Sequence, residues 1–505
     1  MVRRNILANT LGGTLTILLN LIIVPYQIHI LGAEAFGLLS LLASLQVIFS
    51  VFDLGLSTTV IREVARDTSV GRETSRELSQ TVATLYWLVA LVLGASLFAG
   101  AGWIAQHWLN LRTLSSETAQ LGMQILAFSV ALRWPVGFYG GIITGLQALV
   151  AFNVLRTSAV VLKLGGGFAV LLITHDLTAF LVWTAISAIV EVALYALASF
   201  RLLPGLSPRP RISVCVIRHI WRFSLSMNLV SILALIFTQA DRVLMSRLLP
   251  LEDVGYYSLA MNVVMSVSVI QGFVTSAVLP ALATDYATCQ DSEFAARYVK
   301  ATQGLIYVLT LPTCVFVFFG RDLLRIWVSS DASGRSYLVL AVLAVGFLLN
   351  SSVSVSYTLS VATGNTRLPL LVNLVAAVIY VPGLYLLILR FGMMGAAAAW
   401  LLLNLYYLFT LLPLVQWQIL NASVWAWLNQ NLFPFLFVGA AVFSTAWGAA
   451  HLVRSQGGEV AVALVCVIAG LLYAILGFAA LDATLRKDIL VLSRRITTGL
   501  NSQKS

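Results

Sequence analysis

Charged side chains are scarce in this chain of 505 residues. Asp, Glu, Lys and Arg together make up only 10% of it, against 60% hydrophobic residues. Because soluble domains carry roughly 25% charged residues, the composition excludes an ordinary soluble globular protein. The mean hydropathy over the whole chain is +0.94. The sequence therefore predicts an all-α integral membrane protein that crosses the bilayer many times.

Long hydrophilic segments are also missing. The longest, 61–80, 201–222 and 280–300, hold about 20 residues each, which is too short for a soluble catalytic domain. The chain contains no GxxxxGK[ST] phosphate loop, no HExxH helix, no CxxC pair and no GxSxG elbow. We therefore predict that the protein is not an enzyme, with no catalytic residue, no metal site and no bound cofactor.

Cysteine is rare, with four residues in the chain. Cys215 and Cys289 fall in predicted connections on one side of the membrane, and Cys314 and Cys466 fall inside apolar runs. No pair is placed to form a disulfide on the oxidising side. The net charge of +10 would suggest a nucleic-acid partner in a soluble protein, but here it reflects basic connections between spans, so we predict no nucleic-acid partner.

Apolar runs long enough to cross a hydrocarbon core of about 30 Å occur fourteen times. They lie near residues 8–30, 38–60, 81–106, 121–144, 157–174, 179–200, 223–246, 255–279, 301–320, 337–362, 369–389, 395–412, 432–451 and 459–480. Most of the 30 Lys and Arg residues fall in connections on one side, which the positive-inside rule makes cytoplasmic. Both termini are then expected in the cytoplasm.

The chain contains an internal repeat. A shift of 218 positions places Leu31–Asp67 on Leu249–Asp285 without a gap, and Glu34, Gly37 and Asp67 fall on identical residues. The shared positions are polar or Gly rather than Leu, which argues against chance resemblance of apolar segments. We therefore predict two parallel six-helix lobes, at 1–205 and 206–415, followed by two extra spans at 416–482 and a basic cytoplasmic tail at 483–505.

Four charged residues lie inside the apolar runs of the first lobe: Asp53, Arg133, Lys163 and Glu191. Their repeat counterparts are uncharged. A charge in hydrocarbon costs from about 3 to more than 10 kcal/mol, so such residues persist only if they are paired or face a wet cavity. At 1.5 Å of rise per residue they lie about 10 to 16 Å from the predicted cytoplasmic ends. Similar depths permit mutual contact, and Trp134-Pro135 predicts a helix break next to Arg133.

Two stretches resemble a known family. The first is Ile28–Gly37, IHILGAEAFG, followed by Asp53-Leu54-Gly55-Leu56 and Ile61-Arg62; the second is Asp241-Arg242 followed by Glu252–Ser258, EDVGYYS. They resemble the polysaccharide transporter, or Wzx-like oligosaccharide flippase, branch of the multidrug/oligosaccharidyl-lipid/polysaccharide flippase (MOP) superfamily. The resemblance implies a V-shaped, MATE-like pair of six-helix bundles. It also implies transport of a polyprenyl-pyrophosphate-linked oligosaccharide, with basic residues lining the cavity of the first lobe.

Together the pattern and the resemblance give roles to eight residues. Arg133 and Lys163 are predicted to contact the pyrophosphate, with Arg62 and Arg4 recruiting it at the cytoplasmic entrance. Asp53 and Glu191 are predicted counter-charges or sites of coupling to protons or sodium. Asp241 and Arg242 are candidates for gating. Each role has a structural alternative, because ion pairs also fasten helices and basic residues at span ends also set topology.

The predicted function is alternating-access transfer of the lipid-linked oligosaccharide from the cytoplasmic to the outer leaflet of a bacterial cytoplasmic (inner) membrane, for synthesis of a surface polysaccharide. Membrane lipids and polysaccharide assembly proteins are the other expected partners. One alternative is a drug or metabolite exporter of the same superfamily, whose cavity should be dominated by acidic residues. Another is a membrane-embedded polysaccharide polymerase or ligase, because Arg321, Arg325 and Arg335 lie in the longest predicted outer segment, 321–336.

Overall fold

The computed structural model describes the backbone of residues 2–53, 55–69, 76–203, 210–288 and 291–491. Within these ranges, the structure does not describe the side chains of residues 2–12, 14, 68, 69, 76, 77, 215–230, 291, 292 and 454–457. The described chain is helical, with one isolated bridge between Asn110 and Pro250. It forms two compact units, residues 1–258 and 259–505. The division into lobes at 1–205 and 206–415 stays a prediction.

In the part of the first unit that the structure describes, ten helices begin. They are α1 (Val2–Ser50), α2 (Leu56–Ser69), α3 (Arg76–Trp103), α4 (Ser116–Arg133), α5 (Val136–Gly145), α6 (Leu149–Val160), α7 (Gly166–Thr174), α8 (Leu177–Leu202), α9 (Val214–Leu248) and α10 (Leu251–Ala287). A 3₁₀ turn, Val51–Asp53, follows α1, and π-helical turns follow α3 at Ile104–Trp108 and α6 at Val161–Gly165.

The second unit contains the greater part of α10, from residue 259 onward, and its described residues form eight further helices. They are α11 (Asp291–Cys314), α12 (Gly320–Trp327), α13 (Ser330–Ala362), α14 (Arg367–Phe409), α15 (Leu411–Val415), α16 (Val424–Trp427), α17 (Phe433–Ala480) and α18 (483–491). Among these described residues, the π-helical turns Val315–Phe319, Gln416–Leu420 and Leu428–Leu432 continue α11, α15 and α16.

Over the described residues, eleven helical segments are long and apolar enough to cross a membrane. Two of these segments are divided by a kink at a glycine with positive φ, Gly32 (φ 85°) in α1 and Gly392 (φ 59°) in α14. Only glycine adopts such angles without strain, so each of these two segments supplies two spans. The separate helix α9 supplies one more, which brings the eleven to the fourteen predicted spans.

Several helices extend beyond the hydrophobic runs. The connection 280–300 is helical over 280–287 and 291–300, because α10 continues through Pro280 to Ala287 and α11 begins at Asp291. Apolar runs mark only the part of a helix that lies in hydrocarbon. Polar continuations of a helix do not contribute to that signal, so a prediction from hydropathy makes such helices too short.

Each unit has its own core. In the first unit, α2, α3, α5 and α8 meet around buried aromatic side chains that include Tyr86, Phe138 and Tyr195. In the second unit, the last two spans, both within α17, pack on α11. There Tyr473 donates a hydrogen bond to the Tyr307 carbonyl (2.9 Å) and Tyr307 donates one to the Ala474 carbonyl (2.7 Å). The two spans after residue 415 are therefore fastened to the second unit.

Candidate functional site

The helix break at Pro135 positions the first charged side chain. Pro135 has no backbone N–H, and α4 ends at Arg133 while α5 begins at Val136, which confirms the break predicted at Trp134-Pro135. Arg133 points to α8, where its Nε lies 2.9 Å from Oε2 of Glu191. Its Nη2 donates a hydrogen bond to Oγ of Ser187 at 3.0 Å. Ser187 and Glu191 are one helical turn apart on α8 and therefore share a face.

The Arg133–Glu191 pair is largely removed from solvent, because the Arg133 side chain is 12% exposed and that of Glu191 is 21% exposed. Removing one partner of such a pair would leave an uncompensated buried charge. The pair joins α4 to α8 and at the same time neutralises the guanidinium. Two of the four predicted charges are thus in direct contact.

Lys163 lies in the π-helical turn Val161–Gly165. A π turn leaves a backbone carbonyl without its helical partner, and here Trp183 Nε1 donates a hydrogen bond to the Leu162 carbonyl at 3.0 Å. A Cβ on Gly166 would overlap the Trp183 indole, so only glycine permits this close approach. Turns of this kind frequently occur at functional sites.

The ammonium group of Lys163 forms no hydrogen bond or ion pair with any residue that the structure describes. The nearby charges that act on it are those of Arg133 and Glu191. Arg133, Lys163 and Glu191 therefore form one electrostatic group on α4, the π turn and α8, which we call the three-charge site. Its formal charge is positive by one unit, because a single carboxylate faces two cations.

Asp53 does not join the three-charge site. It ends the 3₁₀ turn, and its Oδ2 accepts hydrogen bonds from the Ser57 hydroxyl (2.7 Å) and the Ser57 backbone N–H (3.3 Å) at the start of α2. Its Oδ1 accepts a hydrogen bond from the Tyr86 hydroxyl. Among the described residues, no cationic nitrogen lies within the 4.0 Å of an ion pair. Neutral donors on α2 and α3 hold this carboxylate, and its predicted coupling role stays a prediction.

Arg62 lies in α2 and is already paired. Its Nη2 lies 2.8 Å from Oε1 of Glu63, whose Oε2 is 2.6 Å from Nη2 of Arg66. Glu63 is buried while both arginines are substantially exposed. The sequence signal for this pairing is Glu63 itself, which lies one residue from Arg62 and three from Arg66. The side chain of Arg4 lies outside the described residues, and the entrance role of both arginines stays a prediction.

Asp241 and Arg242 are neighbours in α9, but their side chains have different partners. The Asp241 carboxylate accepts hydrogen bonds from the Arg242 backbone N–H (2.8 Å) and the Tyr257 hydroxyl (2.6 Å). The Arg242 guanidinium extends towards Oγ of Ser44 and Oε1 of Gln239, each 3.4 Å from Nη1. No ion pair joins the two side chains, and their gating role stays a prediction.

In the second unit, the described residues around the corresponding repeat positions are neutral. Ser351 Oγ donates a hydrogen bond to Gln271 Oε1 (2.8 Å), and Asn350 Nδ2 donates one to Asn404 Oδ1 (2.8 Å). Gln271 and Ser351 lie 218 residues after Asp53 and Arg133. Hydrogen-bonded amides and hydroxyls thus occupy the repeat positions that carry charge in the first unit. Excess positive charge distinguishes the candidate site from its repeat counterpart.

Comparisons with known proteins point to one group of membrane proteins. The family model "Polysaccharide biosynthesis protein" matches residues 2–284, and the model "MatE" matches residues 227–386. The "Putative O-antigen transporter" of Shigella flexneri is 22% identical over 380 residues, which are 73% of this chain and 87% of that protein.

Two solved structures share the fold. The lipid II flippase MurJ, in an inward closed conformation, has a TM-score of 0.69 at 12% identity, covering 96% of this chain and 99% of that one. An inward-facing multidrug resistance MATE transporter of the MOP superfamily has a TM-score of 0.66 at 14% identity, covering 82% and 96%. At these identities the likeness shows the fold alone.

Proposed function

This chain belongs to the polysaccharide biosynthesis protein family, and from that membership we propose that it flips a polyprenyl-pyrophosphate-linked oligosaccharide from the cytoplasmic to the outer leaflet. The protein is a multi-pass transporter of the MOP superfamily and not an enzyme. We place it in a bacterial cytoplasmic membrane with both termini in the cytoplasm. The Shigella flexneri relative, named for O-antigen transport, supports this substrate class.

The observation that carries the proposal is the three-charge site. A pyrophosphate cannot cross hydrocarbon without cations to replace its hydration. Arg133 offers a planar guanidinium suited to bidentate contact with phosphate oxygens, and Lys163 offers a mobile point charge. Glu191 holds Arg133 through the ion pair between the two side chains. An incoming pyrophosphate would compete with Glu191 for Arg133, and it would bind the unpaired Lys163 without displacing any described partner.

The same geometry supports a role for an ion gradient. If a proton or a sodium ion binds the Glu191 carboxylate, the counter-charge of Arg133 is removed and the guanidinium becomes free to hold the pyrophosphate. Release of that ion would restore the Arg133–Glu191 pair and expel the substrate. We therefore propose protons or sodium ions as the coupling ions, with Glu191 as the exchanging group. Flipping rates measured under an imposed pH gradient, and separately under a sodium gradient, test which ion is used.

The experiment measures flipping in proteoliposomes. A fluorescent undecaprenyl-pyrophosphate-linked oligosaccharide is incorporated, and a membrane-impermeant quencher reports the label that reaches the outer face. Lys163→Met and Arg133→Met should each lower the rate about tenfold or more, because loss of a charge-assisted hydrogen bond costs about 1.5–3 kcal/mol. Arg133→Lys should keep partial activity, since it retains the charge without the fork of donors.

Arg201→Gln is the matched control, because this exposed arginine ends α8 away from the three-charge site. It should flip at the parental rate. Parental flipping by Arg133→Met and Lys163→Met, at equal protein content in the vesicles, would overturn the assignment of the pyrophosphate site. Transport of a cationic dye without any movement of the lipid-linked sugar would instead support the exporter alternative.

The polymerase or ligase alternative loses its support in the second unit. Two of the three outer arginines on which it was based are engaged with carboxylates, Arg325 with Glu459 (3.4 Å) and Arg335 with Asp331 (3.8 Å). Together with the transporter family match, this leaves the flippase as the function that the geometry supports best.

A further inference from the structure

We infer that Arg242, with Ser44 and Gln239, forms a second anion-binding subsite, which takes a phosphate group. We call these three residues the Arg242 subsite. The inference rests on the proposed function in one respect: the phosphate of interest is that of the lipid-linked substrate. The site itself rests on the surroundings of the guanidinium.

Most of the Arg242 donors are unused. A guanidinium has five N–H groups, and the described partners of Arg242 are two neutral oxygens, both at 3.4 Å from Nη1. Contacts of this length are at the weak end for N–H···O bonds. The Nε atom is buried and has no hydrogen-bond partner among the described residues. Donors left in this state inside a membrane span are costly, which indicates that a ligand completes them.

The adjacent carboxylate does not neutralise this charge. Asp241 is 2% exposed and directs its oxygens to the Tyr257 hydroxyl and to a backbone N–H. Among the described residues, no carboxylate oxygen lies within 4.0 Å of the Arg242 guanidinium. Arg133 differs in this respect, because Glu191 approaches it to 2.9 Å. Of these two arginines, only Arg242 keeps its charge uncompensated by a direct contact.

The neutral residues of the subsite suit a phosphate ligand. Ser44 donates its own hydroxyl hydrogen to the Ser40 carbonyl at 3.0 Å, so its oxygen is left to accept from Arg242. That contact holds the guanidinium at the α1–α9 interface with its remaining donors free. A planar fork of N–H groups matches two oxygens of one phosphate. Gln239, one turn before Arg242 on the same helix, adds an amide N–H₂ that can donate to a third oxygen.

The position of the subsite gives it a place in transport. Arg242 lies six residues before the end of α9 at Leu248, about 9 Å along the helix. The predicted topology puts that end of α9 on the outer side. The residues of the three-charge site, in contrast, lie about 10 to 16 Å from the predicted cytoplasmic ends of their spans. The Arg242 subsite would therefore receive the phosphate group after it leaves Lys163 and Arg133.

Binding is tested on the purified full chain in uncharged detergent, with farnesyl pyrophosphate as the probe. The readouts are the Kd from isothermal titration and the rise in unfolding temperature that the probe produces. Lys163→Met serves as the background, because it weakens the three-charge site, whose remaining cation Arg133 is paired with Glu191, and so enlarges the share of the affinity that the Arg242 subsite contributes. In that background, Arg242→Met should raise the Kd about tenfold or more and Arg242→Lys severalfold. Gln239→Leu should raise it by a smaller factor.

Arg247→Met is the matched control on the same helix, because that guanidinium is already engaged by the His107 carbonyl and the Trp108 ring. It should leave the Kd unchanged. An Arg242→Met variant that folds and binds farnesyl pyrophosphate with an unchanged Kd would overturn the subsite. If Arg242→Met does not fold, the Gln239→Leu and Arg242→Lys titrations decide in its place, and unchanged Kd values in both overturn it.

Two further arms separate the possible sources of phosphate and separate this inference from the proposed function. In nanodiscs, phosphatidylglycerol can compete with farnesyl pyrophosphate for the subsite. If it does, and if the competition disappears in Arg242→Met, the subsite binds a phospholipid headgroup and its role in transport is overturned. Retained farnesyl pyrophosphate affinity in such nanodiscs supports the substrate. Normal flipping by Lys163→Met together with impaired flipping by Arg242→Met would overturn the three-charge site and leave the Arg242 subsite standing.

Discussion

Gly37 and Gly255 lie in backbone contact, and they are equivalent positions of the sequence repeat, 218 residues apart. A Cβ on Gly37 would overlap the Leu251 carbonyl oxygen, and a Cβ on Gly255 would overlap the Ala33 carbonyl oxygen. Ala33 and Leu251 are themselves 218 residues apart. Each copy thus contacts the other through the same pair of positions, as on a local two-fold axis. This contact gives physical meaning to the repeat.

Substitution of either glycine by alanine should destabilise the protein. The obstacle is a backbone carbonyl, which cannot rotate away as a side chain would, and overpacking of this kind costs about 1–3 kcal/mol or more. We expect Gly37→Ala and Gly255→Ala to lower both the unfolding temperature in detergent and the amount of protein in the membrane. Gly304→Ala is the control, because a Cβ there meets nothing within 4 Å. A parental unfolding temperature for Gly37→Ala would contradict the contact.

The Arg133–Glu191 pair predicts a non-additive pair of substitutions. Arg133→Met and Glu191→Leu should each lower the free energy of unfolding by about 3–5 kcal/mol, because each leaves one buried charge alone, and the double variant should lie close to the parent. Thermal unfolding of the four proteins gives the coupling energy. The double variant should still fail to flip lipid-linked sugar, which separates fastening of the helices from substrate contact. Additive losses would mean that the two side chains do not interact.

Asp53 predicts a smaller effect of a different kind. Asp53→Ala should lower the free energy of unfolding by about 1 kcal/mol through loss of the acceptor at the start of α2, whereas Asp53→Asn should cost less because its oxygen still accepts from Ser57. Tyr86→Phe removes the other donor and serves as the partner variant. If Asp53→Asn were as damaging as Asp53→Ala, the negative charge rather than the hydrogen bonds would be what matters.

The charged residues show how far the sequence leads. Hydropathy and depth along the helices predict the fourteen spans and bring Arg133 and Glu191 to one level, because both follow from the fixed rise of a helix. The direction of each side chain does not follow from depth. Asp53 lies at a similar predicted level but turns to Ser57 and Tyr86, since the 3₁₀ turn at 51–53 rotates it to α2 and α3. Local breaks of this kind are tertiary features without a periodic signal.

The C-terminal helix predicts a response to pH. Hydrogen bonds from the hydroxyl and the backbone N–H of Thr484 lower the pKa of Asp482 below its ordinary value. A carboxyl group with a depressed pKa in the folded state adds stability above its unfolded pKa of about 3.9, and this contribution is lost as the pH falls through the folded pKa. The protection of the amides of 483–491, taken as the intrinsic exchange rate at each pH divided by the observed rate, should therefore fall below about pH 4. In Asp482→Asn this protection should lose most of its pH dependence; an unchanged profile would contradict the assignment.

The π turn that carries Lys163 gives the sharpest matched pair of variants. A Cβ on Gly166 would overlap the Trp183 indole, whereas the nearest atom to a Cβ on Gly165 is 3.9 Å away. Gly166→Ala should displace Trp183 from the Leu162 carbonyl and rebuild a regular helix. Because the extra residue of a π turn sets the direction of the side chains around it, this change should turn Lys163 away from Arg133 and Glu191. We expect Gly166→Ala to lower the flipping rate about tenfold and Gly165→Ala to leave it near the parental value. Trp183→Phe, which keeps a ring but loses the N–H, should have a flipping rate between those of the two alanine variants.

Flipping rates at matched protein content, together with unfolding temperatures, distinguish a misplaced Lys163 from a misfolded chain. Equal rates for the two alanine variants would show that the direction of Lys163 does not matter to transport.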